Sequence, residues 1–409
     1  MLYDAATNTI VNADRMPLPK RTDLDKMLTI DMGQEPGTLK EKLGNDLYKV
    51  RNLVVSGKIN GDDLATLRDM VGCTDNKTPK LANLDLSAAQ IVKGGVYLDD
   101  IELGKDSHLP NRVFENAVSL RSITVPSTLR SIGIEAFQDT YSLREVNLNE
   151  GLEEIGTWAF ASRGVESSLE KINIPSTVRL FQGATFTSCY LLKDFTIHPD
   201  NPYYTFDGIA VYTKDYGQIV HIFPSYAGVL SLPDVCHTVQ WGSLFSGDIK
   251  GFVGKNVIEI GGRAFADLYY ADYLAFGSKL ERVGYGPFER ARLKRLYLGC
   301  HDIPDGEYVD YVDGVYSEYW DAYKKVTLYV PRDAVDKFQK HRVWGMAKEV
   351  LPIEDTEFAY LADTELDAVN EVETSSTAMP HRIYSPTGVK LNRPIKGLNI
   401  VDGKKVMVK

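Results

Sequence analysis

Residues 56–70, SGKINGDDLATLRDM, have the side-chain oxygens of half a calcium-binding loop. Such a loop needs oxygen ligands at positions 1, 3 and 5, ahead of a glycine at position 6. With Gly57 as that glycine, the three positions fall on Asn52, Val54 and Ser56, and the side chain of Val54 cannot coordinate an ion. The stretch is therefore interpreted as a turn that leaves a strand, followed by a helix that Asn60 or Gly61 begins and Gly72 ends.

Two Cys-His dipeptides, Cys236-His237 and Cys300-His301, offer the ligand types that zinc prefers. Adjacent residues on a strand point to opposite faces, so each dipeptide presents only one ligand to a given site. The spacing also lacks the close pair of cysteines that is typical of structural zinc sites. The sequence predicts no metal site and no cofactor.

Motifs for catalysis are missing from the sequence. It contains no Gly-x-Ser-x-Gly elbow and no His-Glu-x-x-His helix, and VGYGPF (283–288) has two glycines where a phosphate-binding loop needs three. The chain is therefore predicted not to be an enzyme. A net charge of −10 argues against nucleic acid as a partner, and no apolar run approaches the roughly 20 residues of a transmembrane segment.

A tyrosine-rich stretch, YVDYVDGVYSEYWDAY (308–323), is the most aromatic segment of the chain. Aromatic rings with polar tips are favoured at interfaces, and their faces also suit sugars. The stretch therefore gives a possible aromatic site. Its residues are Tyr311, Tyr316, Tyr319 and Trp320. The alternative, that these rings pack against the last repeat, stays open.

A repeated pattern organises most of the chain. An aliphatic residue, a glycine, two variable residues, a small residue and a phenylalanine recur in SIGIEAF, EIGTWAF, EIGGRAF and RVGYGPF. These copies end at Phe137, Phe160, Phe265 and Phe288. Looser copies end at Phe186 and Phe245. The segment that ends at Phe114 has the phenylalanine of the pattern without its glycine.

A second pattern runs in phase with the first and has aliphatic residues at its positions 1, 4 and 6. Its copies are LRSITV (120–125), LREVNL (143–148), LEKINI (169–174), LKDFTI (192–197) and LKRLYL (293–298). The alternation is typical of a half-buried strand. Because one unit of about 23 residues cannot bury its own apolar face, stacked units must share a core. The sequence thus predicts an α/β, right-handed solenoid with short parallel strands and an irregular or short helical convex side.

The two patterns together resemble the BspA-like, Treponema-type leucine-rich repeats of surface proteins from Bacteroides-type bacteria. LYVPRDAVDKFQKHRVWGMAKEVLPI (328–353) is similar to the family's closing unit, and residues 37–72 and 382–409 are similar to its terminal regions. The resemblance implies a secreted, periplasmic or cell-surface protein that acts in recognition or adhesion, although this chain shows no signal peptide. It implies no particular ligand.

The expected organisation has four parts. Residues 1–72 form an N-terminal region and capping unit, and residues 73–353 form the solenoid, with a hairpin insertion near 203–224. Residues 354–380 form a linker, and residues 381–409 form a small β tail.

The solvent-facing positions of the predicted strands give the candidate binding surface, because the sheet face of such solenoids is the usual binding surface. These positions are Arg121, Thr124, Arg144, Glu145, Asn147, Glu170, Lys171, Asn173, Lys193, Asp194, Lys294, Arg295 and Tyr297. A protein or glycan partner is expected here. Three alternatives stay open: a solvated face held by ion pairs, a glycan-binding accessory protein that uses residues 308–323, and an assembly component that pairs through its tail.

Overall fold

The computed structural model describes residues 27–74, 79–163, 167–181, 183–306 and 323–362, together with the backbone of short strands near both ends of the chain. The chain divides into two compact units, residues 1–363 and residues 364–409. In the first unit, pairs of short strands repeat along the chain and build four main sheets.

The first face sheet collects strands from the N-terminal half of the large unit, and neighbouring strands in it are parallel. Its strands are Met27–Asp31, Asn52–Ile59, Asn83–Asp85, Ser122–Thr124, Glu145–Asn147, Lys171–Ile174 and Asp194–Ile197, and Ala89–Ile91 also pairs with Asn52–Ile59. The inward aliphatic residues of the strands between the two edges are buried, as Ile123 and Ile172 illustrate. A short antiparallel hairpin, Val96–Leu98 with Ile101–Glu102, lies outside this sheet.

The second face sheet repeats this arrangement in the C-terminal half and is also parallel. Its strands are Val229–Ser231, Gly251–Gly254, Ala271–Phe276, Leu293–Leu298, Thr327–Val330 and Glu349–Pro352. The predicted α/β solenoid of short parallel strands is thus confirmed.

Two further sheets form just before the bends. The first bend sheet comprises His108–Leu109, Ser131–Ile132, Glu154–Ile155 and Leu180–Phe181, all parallel. The second bend sheet begins with the antiparallel strands Tyr204–Phe206, Ala210–Thr213 and Gln218–Ile222 and continues with the parallel strands Thr238–Val239, Glu259–Ile260, Arg282–Val283 and Asp305–Gly306. In four of these two-residue strands the second residue is the aliphatic one directly ahead of the bend glycine: Ser131–Ile132, Glu154–Ile155, Glu259–Ile260 and Arg282–Val283.

The bend glycines are required by close approach between neighbouring units. A Cβ atom built on Gly156 would lie 2.7 Å from the carbonyl carbon of Gly133, and one on Gly183 would lie 1.6 Å from the carbonyl oxygen of Trp241. Any side chain at these positions would therefore force two backbones apart.

Phenylalanine rings stack along the inside of the bends. The ring centroids of Phe114, Phe137, Phe160 and Phe186 follow one another at 5.5, 5.3 and 5.5 Å. Phe265 and Phe288 continue the arrangement in the second half at 6.0 Å. All these rings are buried, so the repeated aromatic position forms the spine of the core.

One bend differs from the sequence prediction. The looser copy VQWGSLF is predicted to place Phe245 in the core, but Leu244 is buried there and Phe245 is only half-buried. The amide of Leu244 donates to the carbonyl of Ala264, just as the amide of Phe137 donates to the carbonyl of Ala159. The register is shifted by one residue because Gly242 takes the left-handed position, φ +62°, that Glu135 holds in the unit of Phe137.

Among the described residues, helices are few and short. The α-helices there are α1 (Leu39–Leu43), α2 (Gly61–Val71) and α3 (Val335–Lys340), and 3-10 turns cover Gly44–Asp46, Tyr323–Lys325, Arg332–Ala334, Trp344–Met346, Ile353–Asp355 and Ala359–Leu361. The predicted limits of α2 are confirmed: Asn60 caps its start and Gly72, in the left-handed conformation, ends it. The Asp63 carboxylate completes the cap and also accepts hydrogen bonds from the amides of Gly37 and Leu39. Asp63 thereby fastens the start of α1 to α2.

The second unit is described through its backbone alone. Its strands Ile383–Tyr384, Lys390–Leu391, Gly397–Val401 and Lys404–Val408 form one antiparallel sheet. Near the N-terminus, Leu2–Asp4 and Thr9–Val11 pair as a separate antiparallel hairpin.

Candidate functional site

The outward side chains of the first face sheet form three rows that cross the strands. Strand register places the middle row on one line, and this row comprises Asn52, Asn83, Ser122, Glu145, Lys171 and Asp194. The exit row, two residues further along each strand, comprises Asp85, Thr124, Asn147, Asn173 and Thr196. The entry row precedes the strands and includes Arg51, Arg121, Arg144, Glu170 and Lys193.

The middle row changes character along its length. At its N-terminal end Asn83 donates to Asn52 at 2.6 Å, and Ser122 donates to Asn83 at 2.7 Å. Further along, Lys171 Nζ lies 3.1 Å from Glu145 Oε1. The hydrogen bond to Glu145 and the charge of its carboxylate raise the pKa of Lys171.

The entry row is basic towards its N-terminal end. Arg144 pairs with Glu170 at 3.6 Å, and Arg51 and Arg121 lie further back on the same line. Partial burial and the like charge of Arg121 lower the pKa of Arg51.

The exit row is polar and largely neutral. Asn147 donates to Thr124 at 3.5 Å, and Thr196 donates to Asn173 at 2.7 Å. The amides and hydroxyls of this row can each donate or accept further hydrogen bonds. The row therefore gives a neutral border to a surface whose other side is charged.

The predicted site residues of the first face sheet lie together on this surface. They are Arg121, Thr124, Arg144, Glu145, Asn147, Glu170, Lys171, Asn173, Lys193 and Asp194. All of them are exposed or half-buried. The same surface extends to Asn52, Asn83 and Asp85, which the prediction omits. The signal for them is present in VRNLVV (50–55) and LANLDL (81–86), whose outward positions follow the same pattern.

The outer face of the second face sheet is different, and here one expectation is wrong. Tyr297 is expected to face solvent, but it is fully buried. Its ring lies 4.5 Å from Phe358 and 4.6 Å from Tyr329. Residues Ile353–Ala362, named here the strap, pack over this face with Ile353, Phe358 and Leu361. The sequence analysis predicts a linker from residue 354 onward and does not anticipate this packing.

The other two predicted residues of the second face sheet are engaged within the chain. Arg295 donates to the hydroxyl of Tyr297 at 2.9 Å and to Glu357 of the strap at 3.1 Å. Lys294 is exposed and contacts Asp272 at 3.0 Å. Thus Arg121 through Asp194 share an open surface, whereas Arg295 and Tyr297 belong to a covered one.

The remaining candidates fall into two groups. Tyr311, Tyr316, Tyr319 and Trp320 lie outside the described residues. Among the residues that are described, no group of three His, Cys, Asp or Glu side chains is placed to hold a metal ion. Cys236 and Cys300 are buried, and His301 pairs instead with Asp333 at 2.9 Å. Within the described residues, no helix is long and apolar enough to cross a membrane.

Comparison with known proteins identifies the repeat. Residues 107–212 match the family model described as a BspA type leucine rich repeat region, in six copies. No curated protein matches the chain significantly.

Among solved structures, a leucine-rich repeat protein from Eubacterium ventriosum is similar over 72% of this chain and 78% of its own, with 16% identity and a TM-score of 0.47. A leucine rich cell surface protein from Faecalibacterium prausnitzii is similar over 83% of this chain and 90% of its own, with 16% identity and a TM-score of 0.47. The repeated strands, the bend glycines, the stacked phenylalanines and the family match agree, and residues 107–212 are a leucine-rich-repeat region of the BspA type.

Proposed function

We propose that this chain is a non-catalytic recognition protein that binds a protein or glycan partner through the open outer face of its first face sheet. The observation that carries the proposal is the contrast between the two face sheets. On the second, the strap covers aromatic residues such as Tyr297, whereas the outer face of the first carries three polar rows at exposed or half-buried positions. The type of repeat supports a location outside the cell or on its surface.

The charges on the first face sheet favour a partner that presents acidic groups beside neutral polar ones. Arg51, Arg121 and Arg144 form the basic side of the surface, and the exit row supplies amides and hydroxyls. Exposed ion pairs such as the one between Arg144 and Glu170 contribute little to stability, so a partner can replace them at small cost.

Charge reversal tests this surface without disturbing the core. The purified protein is applied to a panel of immobilised extracellular proteins, mucins and glycans, and each captured ligand is then measured against Arg144→Glu and Lys171→Glu. Loss of binding in both variants supports the proposal. Lys294→Glu, on the second face sheet, is the matched control and should bind each captured ligand with the affinity of the parent protein. Unchanged affinity of every captured ligand for both test variants would exclude this surface.

A further inference from the structure

A pocket of about 360 Å³ opens on the outside of the bends, where the two halves of the repeat ladder meet. One wall comes from the bends that contain Phe137, Phe160 and Phe186, and the other from the bends that contain Leu244, Phe265 and Phe288. The halves are in direct contact beside it: Tyr190 donates to the carbonyl of Ser246 at 2.9 Å. The pocket is thus built by the fold itself and lies away from both face sheets.

Aromatic rings supply part of the lining. Trp158 is half-buried, and its ring lies 5.4 Å from Trp241 and 6.4 Å from Phe245 in edge-on arrangements. Phe245 lines the pocket because Leu244 takes the core position in its bend. Tyr269, which is 47% exposed, adds a third ring. Such a pocket offers ring faces and edges to the apolar side of a ligand.

Two buried polar side chains line the pocket, and one oxygen atom of each is without a hydrogen-bond partner among the described residues. Gln138 is 1% exposed and Ser162 is 3% exposed. Gln138 Oε1 and Ser162 Oγ have no partner among the described residues. A buried polar atom without a partner costs roughly 1–3 kcal/mol, so these two atoms favour a ligand that brings hydroxyl groups.

The charged groups around the pocket neutralise one another. Arg290 makes two bonds of 2.6 Å to Asp267, Arg263 lies 3.3 Å from Glu289, and Arg163 lies 3.1 Å from Asp139. An ionic ligand would have to compete with these pairs. A neutral ligand leaves them intact.

We propose that this pocket binds a neutral sugar residue of a glycan. A sugar ring has an apolar face for Trp158 and Tyr269, and it has hydroxyl groups for Gln138 and Ser162. The volume lies at the lower end of the range for small-molecule sites and suits one or two sugar units. The site is independent of the surface proposed above, and it uses no residue of 308–323.

The test begins with a glycan array of neutral and acidic saccharides. The methyl glycoside of the strongest ligand is then titrated by calorimetry and by tryptophan fluorescence. We expect a neutral saccharide to bind and to change the fluorescence. Trp158→Ala and Gln138→Met should each weaken binding at least about tenfold. Gln138→Met keeps the shape of the side chain and removes the unpartnered oxygen, so its melting temperature should not fall.

Controls separate this site from the others. Lys171→Glu on the first face sheet, Trp320→Ala in the tyrosine-rich stretch and Tyr203→Ala, another exposed ring, should bind the saccharide like the parent protein. Since Trp158→Ala also removes the contact with Trp241, the exposed Tyr269→Ala gives a second aromatic test. The proposal is overturned if only acidic saccharides bind, if none binds, or if Trp158→Ala, Gln138→Met and Tyr269→Ala all keep the parent affinity.

Discussion

The rings of Phe358 and Tyr297 lie 4.5 Å apart on the outer face of the second face sheet. Phe358 belongs to the strap, and its ring also lies 4.9 Å from Tyr273. Burial raises the pKa of Tyr297 to about 12. Phe358 thus packs at the centre of the contact by which the strap covers, in the second half of the ladder, a face that is open in the first.

Phe358→Ala should loosen the strap, because truncation of a buried phenylalanine costs about 3 kcal/mol of packing. Hydrogen exchange in residues 353–362 should quicken, and the pKa of Tyr297 should fall towards its ordinary value of 10. Mass spectrometry measures the exchange, and the difference spectrum against Tyr297→Phe isolates the phenol titration. Tyr360→Ala removes an exposed strap ring and serves as the control. Equal exchange in the two variants would show that Phe358 does not hold the strap.

The shifted bend gives a prediction with its own internal control. Leu244→Ala should lower the free energy of unfolding by about 3 kcal/mol because it leaves a core cavity, whereas Phe245→Ala should cost about 1 kcal/mol because that ring is half-buried. Urea denaturation of the two variants side by side measures both. A larger loss of stability for Phe245→Ala than for Leu244→Ala would instead support the register that the sequence motif predicts, with Phe245 in the core.

Gly156→Ala tests the close approach of neighbouring bends. The added Cβ atom would lie 2.7 Å from the Gly133 carbonyl carbon and 2.8 Å from its oxygen, and neither backbone atom can rotate away. We expect a loss of about 2 kcal/mol, typical of overpacking. Gly104→Ala is the matched control, since its Cβ atom would meet nothing within 4 Å. Similar melting temperatures for the two variants would contradict the steric explanation.

His221 makes the stability of the chain depend on pH. The side chain is buried against Phe186 and Phe223, and neither ring nitrogen has a partner among the described residues. Burial lowers the pKa of His221 from 6.5 to about 3. At pH values between about 3 and 6.5 the unfolded chain binds a proton at His221 that the folded chain does not bind. The free energy of unfolding is therefore highest above pH 6.5 and decreases as the pH falls below that value.

The expected loss from His221 is about 2 kcal/mol between pH 7 and pH 5. His221→Leu should remove this part of the pH dependence, and His237→Leu, at an exposed position, should keep it. Denaturation at both pH values measures the two slopes. A parent protein and a His221→Leu variant with the same slope would show that His221 is not the group responsible.

The regular part of the fold could be predicted because two independent signals recur in phase. Ile123, Val146 and Ile172 mark the inward side of successive strands, and Phe137 and Phe160 mark the bends. Since side chains alternate along a strand, the inward positions also identify Glu145 and Lys171 as outward ones. These residues share the open surface that the sequence pattern indicates.

The exceptions depend on contacts that no local pattern carries. The outward position of Tyr297 is correct along its strand, but residues some 60 positions later cover it. The choice of Leu244 over Phe245 depends on where Gly242 places its left-handed turn. The pocket forms because bends that are distant in sequence meet across a junction, and a periodic motif contains no information about that meeting.

The junction between the two halves also has a mechanical meaning. Within each half, consecutive units are joined by rows of backbone hydrogen bonds, but the strands Asp194–Ile197 and Val229–Ser231 belong to different sheets. Aromatic packing, including Phe186 with Phe223 and Trp158 with Trp241, joins the halves at this point. Tension along the ladder should therefore separate the halves before it unravels either one. His221 lies in the same aromatic packing, so a fall in pH would lower the force that is needed to separate the two halves.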